Sequence, residues 1–160
     1  MTDFYETWAL TRGRFDSAVQ NLSAAQLQFR PYENVLTIGE MAIHVAGVEA
    51  SFGCQLKNDF SDSFLAKIAM AATDGVVNEN PFPIANQEIS PELVNQALSA
   101  ARQLIEPMVS NPDPWREIEI KSALGPMING TGAFARLGYH PGYHHGQVHM
   151  IVSHPDYPKS

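Results

Sequence analysis

Apolar positions repeat with a helical period in four long stretches of the chain. In residues 2–22 the repeat is Phe4, Trp8, Thr11, Phe15, Val19 and Leu22, with Thr2 or Asp3 placed to cap the start. From Thr37 to Leu56 the stripe is Ile38, Met41, Val45, Val48 and Phe52. Thr37 followed three residues later by Glu40 has the spacing of a capping box. Ser90-Pro91-Glu92 opens a third helix with a serine cap, proline at the first helical position and an acid in the first turn. Leu93, Ala97, Ala100, Ala101, Leu104 and Met108 continue it, and Pro107 is expected to kink or end it. A last helix is expected from about Asn129 to Val152. The four principal helices therefore fall near 2–22, 36–56, 90–110 and 130–152.

The intervening segments are weaker. Ser23 can cap a short helical turn that Pro31 ends, and residues 61–72 read as a shorter helical piece. Thr73 to Ile89, with its Asn, Pro and Gly, reads as loop. Asn111-Pro112-Asp113-Pro114 is a turn. Trp115 to Lys121 alternates and predicts a short extended segment, too short to imply a sheet. Four long helices with almost no strand signal predict an all-α protein, a four-helix bundle, as one domain over residues 1–160.

Composition narrows the partners. The formal net charge is −7 and no cluster of Lys or Arg is present. Tight nucleic-acid binding rests on neutralising phosphates with basic residues, so DNA and RNA are not expected; a small-molecule substrate is. No apolar run reaches membrane-spanning length. The segment MTDFYETWALTRGRF has neither the basic start nor the apolar stretch of a signal peptide, which gives a cytoplasmic expectation. The single cysteine, Cys54, has no disulfide partner within the chain and reads as a small buried residue.

The chemistry concentrates in HPGYHHGQVHM, residues 140–150, which holds four of the six histidines. On a helical wheel, Ala133, Leu137, His140, Val148 and Ile151 fall within roughly 40° of His144. His140 and His144 thus share the inward face one turn apart. His145 and His149 lie roughly 100° and 140° away, toward the flank or outer face, and His154 falls beyond the helix. Two imidazoles at i, i+4 can chelate one cation. Two readings stay open at Pro141: a kinked continuous helix, or a helix that starts there with His140 as its cap. His44, beside Met41 and Val48, reads either as a core histidine or as a third ligand facing the pair, and three imidazoles plus water make an open catalytic site. Cys54 is excluded from that site, since ten residues of helix span about 15 Å. Glu40 and Gln147 each lie about 40–60° from a candidate ligand on their wheels and are candidates to orient the reacting group.

The segment IGEMAIHVA after the lead-in RPYENVLT, followed by a late HxxxH-x-GQ, resembles the DinB-like (DNA-damage-inducible) superfamily of metal-dependent enzymes. The resemblance runs from LSAAQLQFRP through HGQVHMI. It implies that His44, His140 and His144 are the metal ligands. It further implies an up-down-down-up four-helix bundle, a divalent ion such as zinc or nickel, and in many members a homodimer. Relatives include thiol-dependent S-transferases, maleylpyruvate isomerase-type enzymes and hydrolase-like proteins, so a low-molecular-weight thiol is an expected cosubstrate. His145 stands where the family pattern has arginine, and Pro141 interrupts the HxxxH. Two functions follow: a transferase or hydrolase with an open three-histidine site, or a non-catalytic stress-related binding protein with a structural metal.

Overall fold

A computed structural model describes residues 4–159. The chain is mostly helical: α1 (Tyr5–Val19), α2 (Ala24–Gln28), α3 (Ile38–Lys57), α4 (Ser63–Ala69), α5 (Pro91–Ser110) and α6 (Gly130–Val152), with strands β1 (Glu119–Lys121) and β2 (Met127–Asn129). No described helix is long and apolar enough to cross a membrane. Helix α1 packs along α6 and α3 along α5, and α3 also meets α6 and α4.

Local sequence signals set most boundaries. The capping box at Thr37 forms: Glu40 N–H donates to Thr37 Oγ1 (3.1 Å) and Thr37 N–H to Glu40 Oε2 (2.8 Å). Ser90 accepts from Leu93 N–H at the start of α5 (3.2 Å). Ser23 and Gln26 make a second full capping box for α2. The expected caps Thr2 and Asp3 lie outside the described residues, and Phe4, in the position before α1, supplies no side-chain cap. Helix α1 stops at Val19 rather than at 22; Leu22 packs on the core from the connection beyond it.

Three expectations change. The piece expected at 61–72 is α4, capped by Asp62, followed by a separate 3₁₀ turn over Met70–Ala72. Pro107 does not end α5, because it sits in the last turn and its carbonyl still accepts from Asn111 N–H (3.1 Å). The expected extended segment 115–121 shrinks to 119–121, with Trp115 in a 3₁₀ turn. It pairs antiparallel with β2, Ile120 opposite Ile128, through a turn containing Gly125 at φ +144°. Three residues are too few to show an alternation, so this partner strand was hidden.

Helix α3 is covered on nearly every side, although its sequence stripe suggested one buried face. Small residues permit this. A Cβ at Gly47 would stand 2.5 Å from the Ile68 carbonyl oxygen, so only glycine lets the segment around α4 approach so closely.

The core also holds a charge cluster that hydrophobic patterning passed over. Arg12 is fully buried between Trp8 and Phe15 on the inner face of α1. Its Nε donates to Glu49 Oε1 (3.0 Å) and its Nη2 to the Leu98 carbonyl (2.8 Å). Its Nη1 pairs with Asp16, which also takes Arg102 Nη2 (2.7 Å). Trp8 Nε1 donates to Glu49 Oε1 (2.8 Å). Helices α1, α3 and α5 are thereby tied through one network.

Candidate metal centre

Helix α6 runs unbroken from Gly130 to Val152 with Pro141 inside it. His140 therefore does not cap a new helix; it stays one turn before His144 on the same side. Helix α1 crosses at the flanking glycines. Thr11 Oγ1 donates to the Gly138 carbonyl (3.0 Å), and a Cβ on Gly142 would lie 3.2 Å from the Thr11 methyl.

The structure brings His44, His140 and His144 together. His140 Nε2 lies 3.0 Å from His44 Nε2 and 3.1 Å from His144 Nε2. Each outer ring is oriented from behind. His44 Nδ1–H donates to the Ala71 carbonyl (2.7 Å), and His144 Nδ1–H to Gln147 Oε1 (2.7 Å). An amide or peptide oxygen only accepts, so in both rings the proton sits on Nδ1 and the Nε2 lone pair faces inward. Two inward lone pairs facing His140 Nε2 are satisfied by a cation among the three nitrogens or by a proton on His140 Nε2. Tetrahedral ligation at zinc–nitrogen bonds of about 2.0–2.1 Å would separate nitrogens by about 3.3 Å, close to the observed spacing. A histidine ligand whose other nitrogen donates to an oxygen is the usual arrangement behind a bound metal.

Burial favours the neutral form that ligates metals. His44 and His144 are each 5% exposed. Burial lowers the His44 pKa, partly offset by the Ala71 hydrogen bond. Burial, then the neighbouring His44 and His144, pushes His140 down to about 2. His144 is lowered to about 4 by burial and by His44, against the opposing bond to Gln147.

The other candidates separate as follows. Glu40 does not join the cluster: Thr37 N–H holds one carboxylate oxygen and Arg30 Nη2 the other (2.6 Å), so it serves the start of α3. Gln147 is present but holds His144, while its own Nε2 donates to Tyr143 Oη (3.2 Å). His145 is half-buried on the side toward α1, and His149 is exposed. His154 packs against Phe29 and Tyr32. Cys54 is buried, and burial raises its thiol pKa.

A cavity of about 650 Å³ opens beside the triad. Helix α6 contributes Arg136, Tyr139, Tyr143 and Gln147 with the two histidines; α3 contributes Met41, Val48 and Phe52 with His44. No fourth His, Cys, Asp or Glu joins the three histidines among the described residues, so the side facing the cavity is open to water or substrate.

Sequence reasoning missed Ala71, Arg136 and the tyrosines. Arg136, Tyr139 and Tyr143 were readable, since they recur at three and four residues around His140 on one helical strip. Ala71 acts through its backbone and left no signal.

No family model matches the chain, and no curated protein does. Among solved structures, the chain is similar to a crystal structure described as the conserved protein of locus from Enterococcus faecalis. The TM-score is 0.66 at 15% identity, covering 92% of this chain and 91% of that one. That likeness shows a shared fold.

Two expected results follow from this geometry. Gln147→Leu should weaken binding of zinc by about 10–100-fold by releasing the His144 ring; competition with a chromophoric chelator measures it, and unchanged affinity would dismiss the role. Gly47→Ala should cost about 1–3 kcal/mol of stability by overpacking and also weaken zinc binding, because it pushes away the segment whose Ala71 carbonyl holds His44. Urea unfolding and the same competition assay test it; an unaffected zinc affinity would break that link.

Proposed function

We propose that the protein is a metalloenzyme of the DinB-like type, built as an up-down-down-up four-helix bundle, with one divalent ion, zinc or nickel, held by His44, His140 and His144. The observation that carries this reading is the convergence of three Nε2 atoms beside an open cavity. The helical fold and the match of the same three residues to the family pattern support it.

When bound, the cation would lower the pKa of a water or a thiol beside it, supplying a nucleophile at neutral pH. The chain's own residues do the rest. Ala71 and Gln147 fix two of the imidazoles, and Tyr143 steadies Gln147. The apolar α3 wall excludes water from one side of the site. The reaction is transfer of a low-molecular-weight thiol to a small electrophile, or metal-assisted hydrolysis. Glu40 takes no part in it, since its carboxylate is committed to Thr37 and Arg30.

The test is turnover against metal content. Protein loaded separately with zinc and nickel, and protein stripped by a chelator, are assayed for thiol addition to an aromatic electrophile and for ester hydrolysis. Activity in one assay should rise with metal occupancy and vanish on stripping. Stoichiometric metal with no turnover in either assay would count against the enzyme reading; failure to take up metal would end both parts.

A further inference from the structure

Arg136 stands four residues before His140 and eight before His144, so the three share one strip of α6, and all line the cavity. Four residues rise about 6 Å along a helix, which sets the guanidinium's point of attachment one turn from the triad. Arg12, Arg30, Arg102 and Arg116 each pair with a carboxylate. Arg136 and Arg14 have no ion-pair or hydrogen-bond partner among the described residues, and of the two only Arg136 lines this cavity. No acidic side chain among the described residues lines the cavity. Across from this strip the wall is apolar, with Val48 and Phe52 of α3 and Leu124 of the hairpin turn. The cavity thus joins an uncommitted fork of donors, an apolar face and the histidine cluster.

We propose that the cavity binds a small molecule in which a carboxylate is joined to an apolar body. Arg136 takes the carboxylate, Val48 and Phe52 cover the apolar body, and the part to be transformed lies at His140 and His144. This rests on the metalloenzyme reading for its reactive end and names the substrate class of that site; its recognition end stands on other residues. A guanidinium meets a carboxylate with two parallel hydrogen bonds; Arg136 is exposed at the cavity, so the preference rests on that paired geometry and not on burial. The protein's net charge of −7 favours cations over the surface as a whole, so a preference for an anion has to come from a local group.

Three ligands with the same chain and different head groups test this: octanoate, 1-octanol and octylammonium. Each is titrated calorimetrically into the whole protein, and the metal content of every sample is measured. Octanoate should bind about tenfold tighter than the other two, the scale of a charge-assisted hydrogen-bonded pair. Arg136→Gln should remove that preference and leave octanol binding unchanged, and Arg136→Lys should keep part of it. The preference should persist in chelator-treated protein and in His144→Ala. Equal affinity for all three head groups, no binding of any, or a preference that Arg136→Gln leaves intact overturns the proposal. A preference that survives Arg136→Gln but disappears on metal removal would place the carboxylate on the cation, which also overturns it. Protein that takes up neither zinc nor nickel yet shows the Arg136-dependent preference would sink the metal reading and leave this one standing.

Discussion

Replacing any one of His44, His140 or His144 by alanine should lower zinc affinity by roughly 10²–10³-fold, and replacing all three should abolish specific binding. The magnitude follows from structural zinc sites, where four ligands together contribute about 10–16 kcal/mol, or about 2.5–4 kcal/mol each. The three rings are not equivalent. Among the described residues His140 has no hydrogen-bond partner behind it, and it approaches both of the others, so its loss opens the cluster at its centre. Loss of His44 also leaves the Ala71 carbonyl without its donor. In wild type, zinc at a thousandfold its dissociation constant should raise stability by about 4 kcal/mol; at the same zinc concentration each single variant should keep only about 0.4–1.4 kcal/mol of it, and the triple variant none. His145→Ala and His149→Ala should behave as wild type, since neither ring joins the cluster. Isothermal titration and thermal unfolding with and without zinc read both effects. Undiminished affinity in the triple variant would end the assignment of the site.

The second large effect is expected far from this chemistry. Glu49→Ala should destabilise the protein by about 3–5 kcal/mol, because it breaks a buried ion pair and leaves the Arg12 guanidinium with only Asp16 and the Leu98 carbonyl. Arg12 is fully buried, and without Glu49 its Nε loses its acceptor while Trp8 Nε1 loses one too. Arg12→Met should cost a similar amount by leaving Glu49 uncompensated. The double variant Arg12→Met with Glu49→Leu should be less damaging than the sum, since neither charge is left alone. For a chain of this size each kcal/mol moves the melting temperature by roughly 2–4 °C, so a single variant should melt roughly 6–20 °C lower. Zinc affinity measured well below that temperature should be close to wild type. A cost under about 1 kcal/mol in urea unfolding would show that the network contributes far less than buried pairs ordinarily do.

Much of the site was legible because it is local. His140 and His144 are four residues apart, and helical geometry alone puts them on one side. The inward turn of that side follows from Ala133, Leu137, Val148 and Ile151. His44 was suspected from its place beside Met41 and Val48, yet its neighbours on another helix had no signature in the residues around it. Glu40 shows the opposite failure. Its spacing to Thr37 gave the capping box correctly, but Arg30, ten residues back across Pro31, was what occupied its second oxygen. A wheel places a carboxylate by angle and does not reveal which partners have already taken it.

The sequence by itself determined the helices, their serine, threonine and proline starts, and the pairing of two imidazoles on α6. These depend on contacts within a few residues, and periodicity and capping record such contacts directly. Only the tertiary structure decided that Pro141 leaves α6 continuous, since the glycines beside it let α1 cross closely and Thr11 takes up the Gly138 carbonyl. It alone decided that Arg12 lies in the core, because Glu49 and the Leu98 carbonyl come from other helices. It also decided that His44 faces the pair, held there by a carbonyl 27 residues further along the chain that reaches it only where Gly47 lets the segments meet. Burying a charge or aiming an imidazole requires partners from distant parts of the chain, and distance along the chain leaves no period to read.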